Sequence, residues 1–352
     1  MIYINARFLT QSMTGVQRFA VEICLKLKAL LGENVIFLSP KGITQKEYVD
    51  RLGVIEIGTH TGHLWEQWDL PNYLRKQGNP LLLCLCNTAP IRYKNKVVTV
   101  HDLAFEVFPQ TFSNSFLYLY RFMIPRIMKT AKHVITVSEF SKQEIIKYYN
   151  IPDNKISVVY NAVSSDFMPK KKTESCTKYF MAVSSLNYRK NFIYILEAFE
   201  EYVQEDGDGE LYIIGDIKNK AFAKIDLAKY ENNPQIKFLG RVSDDELIDY
   251  YCNAFAFIYP SLYEGFGIPP LEAQACNCPA ICAKASCLPE VFGNSVLYCD
   301  PYKKDSLVTS MKELSDNSLR NDLIARGKEN LAKYSWERSA NRIKEILELY
   351  DK

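Results

Sequence analysis

The chain has 352 residues, enough for two ordinary domains. A hydrophobic fraction of 47% with 24% charged residues excludes disordered and fibrous classes. A formal charge of only +2 excludes the dense basic stripe that nucleic-acid backbones demand, so no nucleic-acid partner is expected. The charge is nevertheless uneven: residues 1–165 carry 19 Lys/Arg against 12 Asp/Glu, and the rest 24 against 29, so the halves stand at +7 and −5.

Apolar runs rich in Val, Ile and Tyr predict strands at 2–6, 34–39, 81–86, 97–101, 133–138 and 156–160. After a break the series resumes at 179–184, 210–214, 236–239, 254–259, 279–282 and 296–299. Helical periodicity marks 16–31, 141–149, 191–204, 244–252 and 304–315. Continuous apolar strands joined by helical crossovers are the pattern of a parallel sheet covered on both faces, so the expected class is α/β, twice over. Polarity rises and periodicity stops at 164–178. This predicts a first domain over 1–165, a linker over 166–178, a second domain over 179–334 and a terminal amphipathic helix within 335–352. Lys170, Lys171 and Lys172 read as a solvated linker run or a recognition patch. If the two domains face each other, the C-terminal edges of both sheets border one cleft, and ligands are expected there.

Ten cysteines are present, but Cys276, Cys278, Cys282 and Cys287 lack the paired C-x2-C knuckles of a zinc site and read as reduced core thiols. The N-terminal MIYINARF has no basic segment leading into a long apolar one, and no run approaches the ~20 apolar residues of a membrane span. A cytoplasmic protein is expected, with any membrane contact peripheral. Trp65 and Trp68 suit either the core or a sugar-stacking face. The aromatic and basic segment 112–132 suits either an ordinary helix bent at Pro125 or one lying on an anionic bilayer.

The richest chemistry lies in EGFGIPPLE, residues 264–272. Glycines let a backbone approach a ligand, prolines suit a first helical turn, and amides at a helix N-terminus favour phosphate. Glu272, read as part of that first turn, is placed to accept both hydrogens of a ribose diol, with Glu264 at the other rim of the loop. Taken alone, two such acids read better as the merely exposed acids of a helix that follows a tight glycine turn. The Asp206 and Asp208 pair precedes a predicted strand, hence lies at the N-terminal end of the sheet, and reads as a solvated turn more than as a metal site.

EGFGIPPLE, with FLGRVSDDELIDYY before it and SCLPEVFG and LYCDP after it, resembles the E-x7-E element of the retaining glycosyltransferases of family 4. The resemblance is strong over 179–301 and is greatest to bacterial enzymes that extend surface polysaccharides, mannosyltransferases among them. It implies a GT-B fold of two Rossmann-like domains facing a central cleft, the nucleotide-sugar donor held mainly by the second and the acceptor by the first, with the final helix crossing back to the first. It further implies Glu272 on the ribose, and Glu264 and the amides of Phe266, Gly267 and Ile268 on the sugar and diphosphate. Lys190 and Arg189 would meet the phosphates, and His101 the transferred sugar. Gly15 and Arg18, in TGVQRFA, would approach the donor phosphates from the first domain. The family's strand-end Gly-Arg is Ser184 and Ser185 here, which leaves Ser185 a weaker donor contact and Arg189 a candidate replacement. The implied donor is GDP-mannose or a UDP-sugar, the acceptor a glycan or lipid-linked saccharide, with no metal or other cofactor. The remaining alternatives are a GT-B phosphorylase or epimerase, and a sugar-nucleotide-binding protein without turnover.

Overall fold

The computed structural model describes residues 1–171, 177–183, 188–215 and 228–351. They form two compact units, Met1–Asn161 with Ser335–Lys352, and Ala162–Tyr334.

The first unit is built on β1 (Ile2–Asn5), β2 (Val35–Ser39), β3 (Val54–Glu56), β4 (Leu81–Cys84), β5 (Lys96–Thr99), β6 (His133–Thr136) and β7 (Ile156–Val158). All pair parallel, in the order β3-β2-β1-β4-β5-β6-β7. The strands β1, β4, β5 and β6 are buried along their whole length, as expected of parallel strands covered on both faces. Lys96 is fully buried inside β5 because its ammonium reaches the Tyr93 carbonyl at 2.7 Å and the Thr130 hydroxyl at 2.8 Å. Burial pulls its pKa down to about 8. The core joins Leu82, Val98 and Val134 of the sheet to Trp65, Ile124 and Met128 from its helices.

The helix Trp336–Tyr350 belongs to this unit although it is the last element of the chain. Ser335 caps it, accepting from the Arg338 amide at 3.1 Å. Trp336 meets the Phe19 ring edge-on, the Ser339 hydroxyl donates to the Tyr160 carbonyl at 2.6 Å, and the Met1 ammonium lies 3.2 Å from Asp351. His133, at the start of β6, is held between the Ser157 hydroxyl and the Tyr350 phenol.

The second unit is built on β8 (Tyr179–Val183), β9 (Glu210–Ile214), β10 (Ile236–Gly240), β11 (Ala256–Tyr259), β12 (Ala280–Ala283) and β13 (Leu297–Cys299). These are again parallel, in the order β10-β9-β8-β11-β12-β13. Phe180, Leu211, Ile213, Ile258 and Ile281 pack against Phe199, Tyr202, Leu307 and Met311 of the covering helices. In each sheet the strand order reverses once, between β1 and β4 and between β8 and β11, and ligands of doubly wound sheets bind beyond the strand ends at such a reversal.

Every strand expected from the sequence forms, within two residues at either end. The elements not foreseen include the edge strand β3 and the helix Asn317–Leu331. Among the described residues no helix is long and apolar enough to cross a membrane.

Candidate active site

At the β8/β11 reversal, the loop 260–267 leaves β11 and meets the single turn Tyr188–Lys190. The backbones are tied first: the Arg189 carbonyl accepts from the Leu262 amide at 2.7 Å and the Ser261 hydroxyl at 3.2 Å. The side chains then converge on Glu264. One carboxylate oxygen accepts from the Tyr259 phenol at 2.8 Å, from Ser261 Oγ and from Lys190 Nζ; the other lies 3.4 Å from Arg189 Nη1. Lys190 also donates to the Tyr259 oxygen at 2.8 Å, and Arg189 to the Tyr263 carbonyl at 3.0 Å.

Glu264 is only 7% exposed. Burial alone would raise its pKa, but Lys190 and Arg189 outweigh this and hold the carboxyl at about 2. The same burial, with Glu264 alongside, pushes the Tyr259 phenol far up. Expected at the rim of the loop, Glu264 is the buried counter-charge that fixes two cations in place.

The helix Ile268–Ala275 begins at Gly267, whose φ of 98° suits glycine, and carries Pro269 and Pro270 in its first turn. A Cβ on Gly267 would stand 2.8 Å from Leu288 and 3.3 Å from Phe292, so the residue is required by space as well as by backbone shape. No side chain caps this helix N-terminus; Pro269 and Pro270 carry no N–H, so the main-chain donors among its first four residues are the amides of Ile268 and Leu271. Glu272 is the fifth helical residue, in the second turn and not the first as expected. It is buried beside Tyr251, whose phenol donates to it at 3.3 Å. The Phe266 ring packs edge-on against Tyr334, so this residue offers the loop its backbone. Ser185 lies outside the described residues.

In the first unit, Gly15 opens the helix Gly15–Leu31 and is exposed, while Arg18 sits half-buried one turn on. His101 follows β5 and is 5% exposed. Its Nε2 lies 2.8 Å from the Leu85 carbonyl, which makes that nitrogen the protonated one, and its amide donates to Asn87 at 2.9 Å. Burial lowers its pKa despite the Leu85 contact and the nearby Asp102, so the ring is a neutral imidazole.

Other sequence candidates resolve into structure. Asp208 pairs with Lys178 next to the N-terminal end of β9. Trp65 is wholly buried, its indole donating to the Ile57 carbonyl, whereas Trp68 is 59% exposed. Cys276, Cys278, Cys282 and Cys287 are buried free thiols. The sequence reading missed a buried ion pair of Arg7 and Glu66 at the β1/β4 reversal. The available signal was an arginine directly after the first strand, but its partner is 59 residues away.

Solved structures share this architecture. A glycosyltransferase from Rickettsia africae ESF-5 superposes with a TM-score of 0.73 at 19% identity, over 99% of this chain and 97% of that one. The Anabaena Alr3699/HepE structure in complex with UDP and glucose gives 0.76 at 15%, over 99% of each. The fold is GT-B. In sequence, residues 13–167 match the model of Glycosyltransferase Family 4, and 164–330 that of glycosyl transferases group 1. O-antigen chain mannosyltransferase B of Escherichia coli is 30% identical over 263 residues, 70% of this chain and 68% of that protein. The O-antigen chain mannosyltransferase RfbU of Salmonella typhimurium is 29% identical over 350 residues, covering 95% and 96%. The chain belongs to the family 4 glycosyltransferases.

Proposed function

We propose that this glycosyltransferase moves a hexose, mannose first among the candidates, from a nucleoside diphosphate sugar to a glycan or lipid-linked saccharide in surface-polysaccharide synthesis. GDP-mannose is the leading donor and UDP-sugars follow. The observation that carries this reading is the pair of cations, Arg189 and Lys190, locked against buried Glu264 beside an uncapped helix N-terminus at the reversal of the second sheet. Support for mannose comes from the two O-antigen mannosyltransferases that this chain resembles.

Breaking the bond between the anomeric carbon and the diphosphate leaves negative charge on the β-phosphate. Prepositioned cations and main-chain amides stabilise such charge as it develops, without reorganising. They fill the role that a divalent metal fills in other transferases, so metal-independent turnover is proposed. Glu272 holds the ribose diol, and Phe266, Gly267 and Ile268 give backbone contacts to the diphosphate and sugar. Gly15, Arg18 and His101 are proposed as the first unit's contacts to the donor. The acceptor oxygen bonds to the anomeric carbon on the face from which the diphosphate leaves, with retention, and its proton passes to the departing phosphate oxygen.

The test is a thermal-shift series with GDP-mannose, GDP, UDP-glucose and UDP, each with and without EDTA. GDP-mannose is expected to raise the melting temperature equally in both conditions, because a ligand that binds only the native state stabilises it. Lys190→Ala and Glu272→Ala are expected to abolish most of that shift. A shift of full size in both variants, or one that EDTA removes, overturns the assignment.

A further inference from the structure

The first unit contains its own buried charge cluster, with a histidine at its edge. Arg7 follows β1, and Glu66 lies in a continuous helical run, 62–76, whose middle section Trp65–Asp69 is π-helical. Such widened turns are rare and concentrate at functional sites. Glu66 is 1% exposed and Arg7 7%. One Glu66 oxygen accepts from Asn5 Nδ2 at 2.7 Å, Thr88 Oγ1 at 3.1 Å and Arg7 Nε at 3.3 Å, while Arg7 Nη2 donates to Thr88 at 2.8 Å. The other oxygen faces His63 Nδ1 at 3.5 Å; both atoms are shut off from water, and neither has a hydrogen bond of ordinary geometry.

Burial would raise the Glu66 carboxyl, but Arg7, His63 and Thr88 together leave it below its usual range, so it is ionised. Asn5 ends β1 and Thr88 follows β4, which puts the cluster at the strand reversal of the first sheet. An ion pair buried only for stability is usually no better than apolar packing. Nor does stability call for a half-exposed imidazole turned toward the carboxylate. Since Nδ1 is buried, the 36% of the His63 side chain that remains accessible is the rest of the ring. Facing the carboxylate at 3.5 Å turns the Nδ1 edge of the ring inward and leaves Nε2 as the nitrogen for a ligand.

We propose that His63, oriented by Glu66 with Arg7 behind it, is an acceptor-side contact that presents Nε2 to a hydroxyl of a saccharide. The inference rests on the glycosyl-transfer reading. The full chain has four histidines, so their imidazole Cε1–H resonances are assignable by single substitutions. Methyl α-D-mannopyranoside, added without donor, is expected to shift the His63 signal saturably and leave that of His133 in place. Ligand-observed saturation transfer then gives the affinity of each variant. His63→Leu is expected to bind this sugar about five- to tenfold more weakly, the effect of one oriented hydrogen bond, and His63→Gln to recover part of the loss. A merely structural His63 would change unfolding without this graded sugar response.

No saturable shift at His63, or equal affinity in His63→Leu, overturns the proposal. The two readings fail separately. Donor stabilisation with a silent His63 removes this subsite alone, whereas a sugar response at His63 with no nucleotide response removes the donor reading.

Discussion

Glu264 and Glu66 do the same physical work in different units: each is a buried carboxylate that fixes an arginine just past a strand of the sheet reversal. For Glu264, a native pKa of about 2 against an ordinary 4.5 sets the pH response. The ionised form is favoured in the folded state, so its stabilisation is fully present above 4.5 and fades as pH falls toward 2. Urea unfolding across that interval should show a shallower acid loss in Glu264→Gln than in the parent. Glu66→Ala leaves the Arg7 charge buried without its counter-charge, and should cost about 3–5 kcal/mol in the same assay. Gly267→Ala combines a left-handed φ with a 2.8 Å clash against Leu288, and should destabilise by about 1–3 kcal/mol. The spacing of Glu264 and Glu272 was legible in the sequence because glycine and proline punctuate it. Their burial was not, since an acid beside glycine reads as a solvated rim until Lys190, Tyr259 and Tyr251 are brought to it by the fold.

At the scale of elements, the strands were legible because parallel strands covered on both faces must be apolar throughout. The strand β3 escaped because it is a three-residue edge strand with an exposed Ile55 and Glu56, too short and too wet to show a period. The helix Asn317–Leu331 escaped for a different reason. Its inward face is Leu323, Gly327 and Asn330, and Asn330 is buried by bonding to Gln274, so polar chemistry stands where the pattern seeks apolar residues. Gly327 lies so close to Gln274 that a Cβ would come within 3.2 Å of it. By contrast, the helix Asp244–Asn253 announces itself with a full capping box, Ser243 accepting from the Glu246 amide and Glu246 from that of Ser243. Ser243→Ala should therefore cost about 1 kcal/mol, readable as a lowered urea midpoint at unchanged slope.

Across the whole molecule the charge is segregated, with the excess of Lys/Arg in residues 1–165. In the same stretch the helix Asn114–Thr130 exposes Tyr118 (78%) and Phe122 (53%), with the Arg126 guanidinium 3.9 Å over the Phe122 ring. A cation beside exposed aromatics suits an anionic bilayer surface, the peripheral contact that the sequence left open. Flotation with vesicles containing phosphatidylglycerol should recover the chain at low salt and release it as salt rises. Arg126→Glu should weaken recovery by about fivefold for each unit of charge lost. Binding that ignores both salt and this substitution would count against the idea.

The return of the helix Trp336–Tyr350 to the first unit has a consequence for how the protein is made. A ribosome releases the seven strands of that unit early, but the residues that cover Phe19 and tie down Tyr160 emerge only after all of the second unit has been synthesised. The later-translated half is thus free to complete itself first, while the earlier half waits with part of its apolar surface uncovered. A nascent chain stalled before Ser335 should be cut readily by protease around Gly15–Leu31 and resist cutting within the strands that follow Tyr179, the reverse of ordinary vectorial folding.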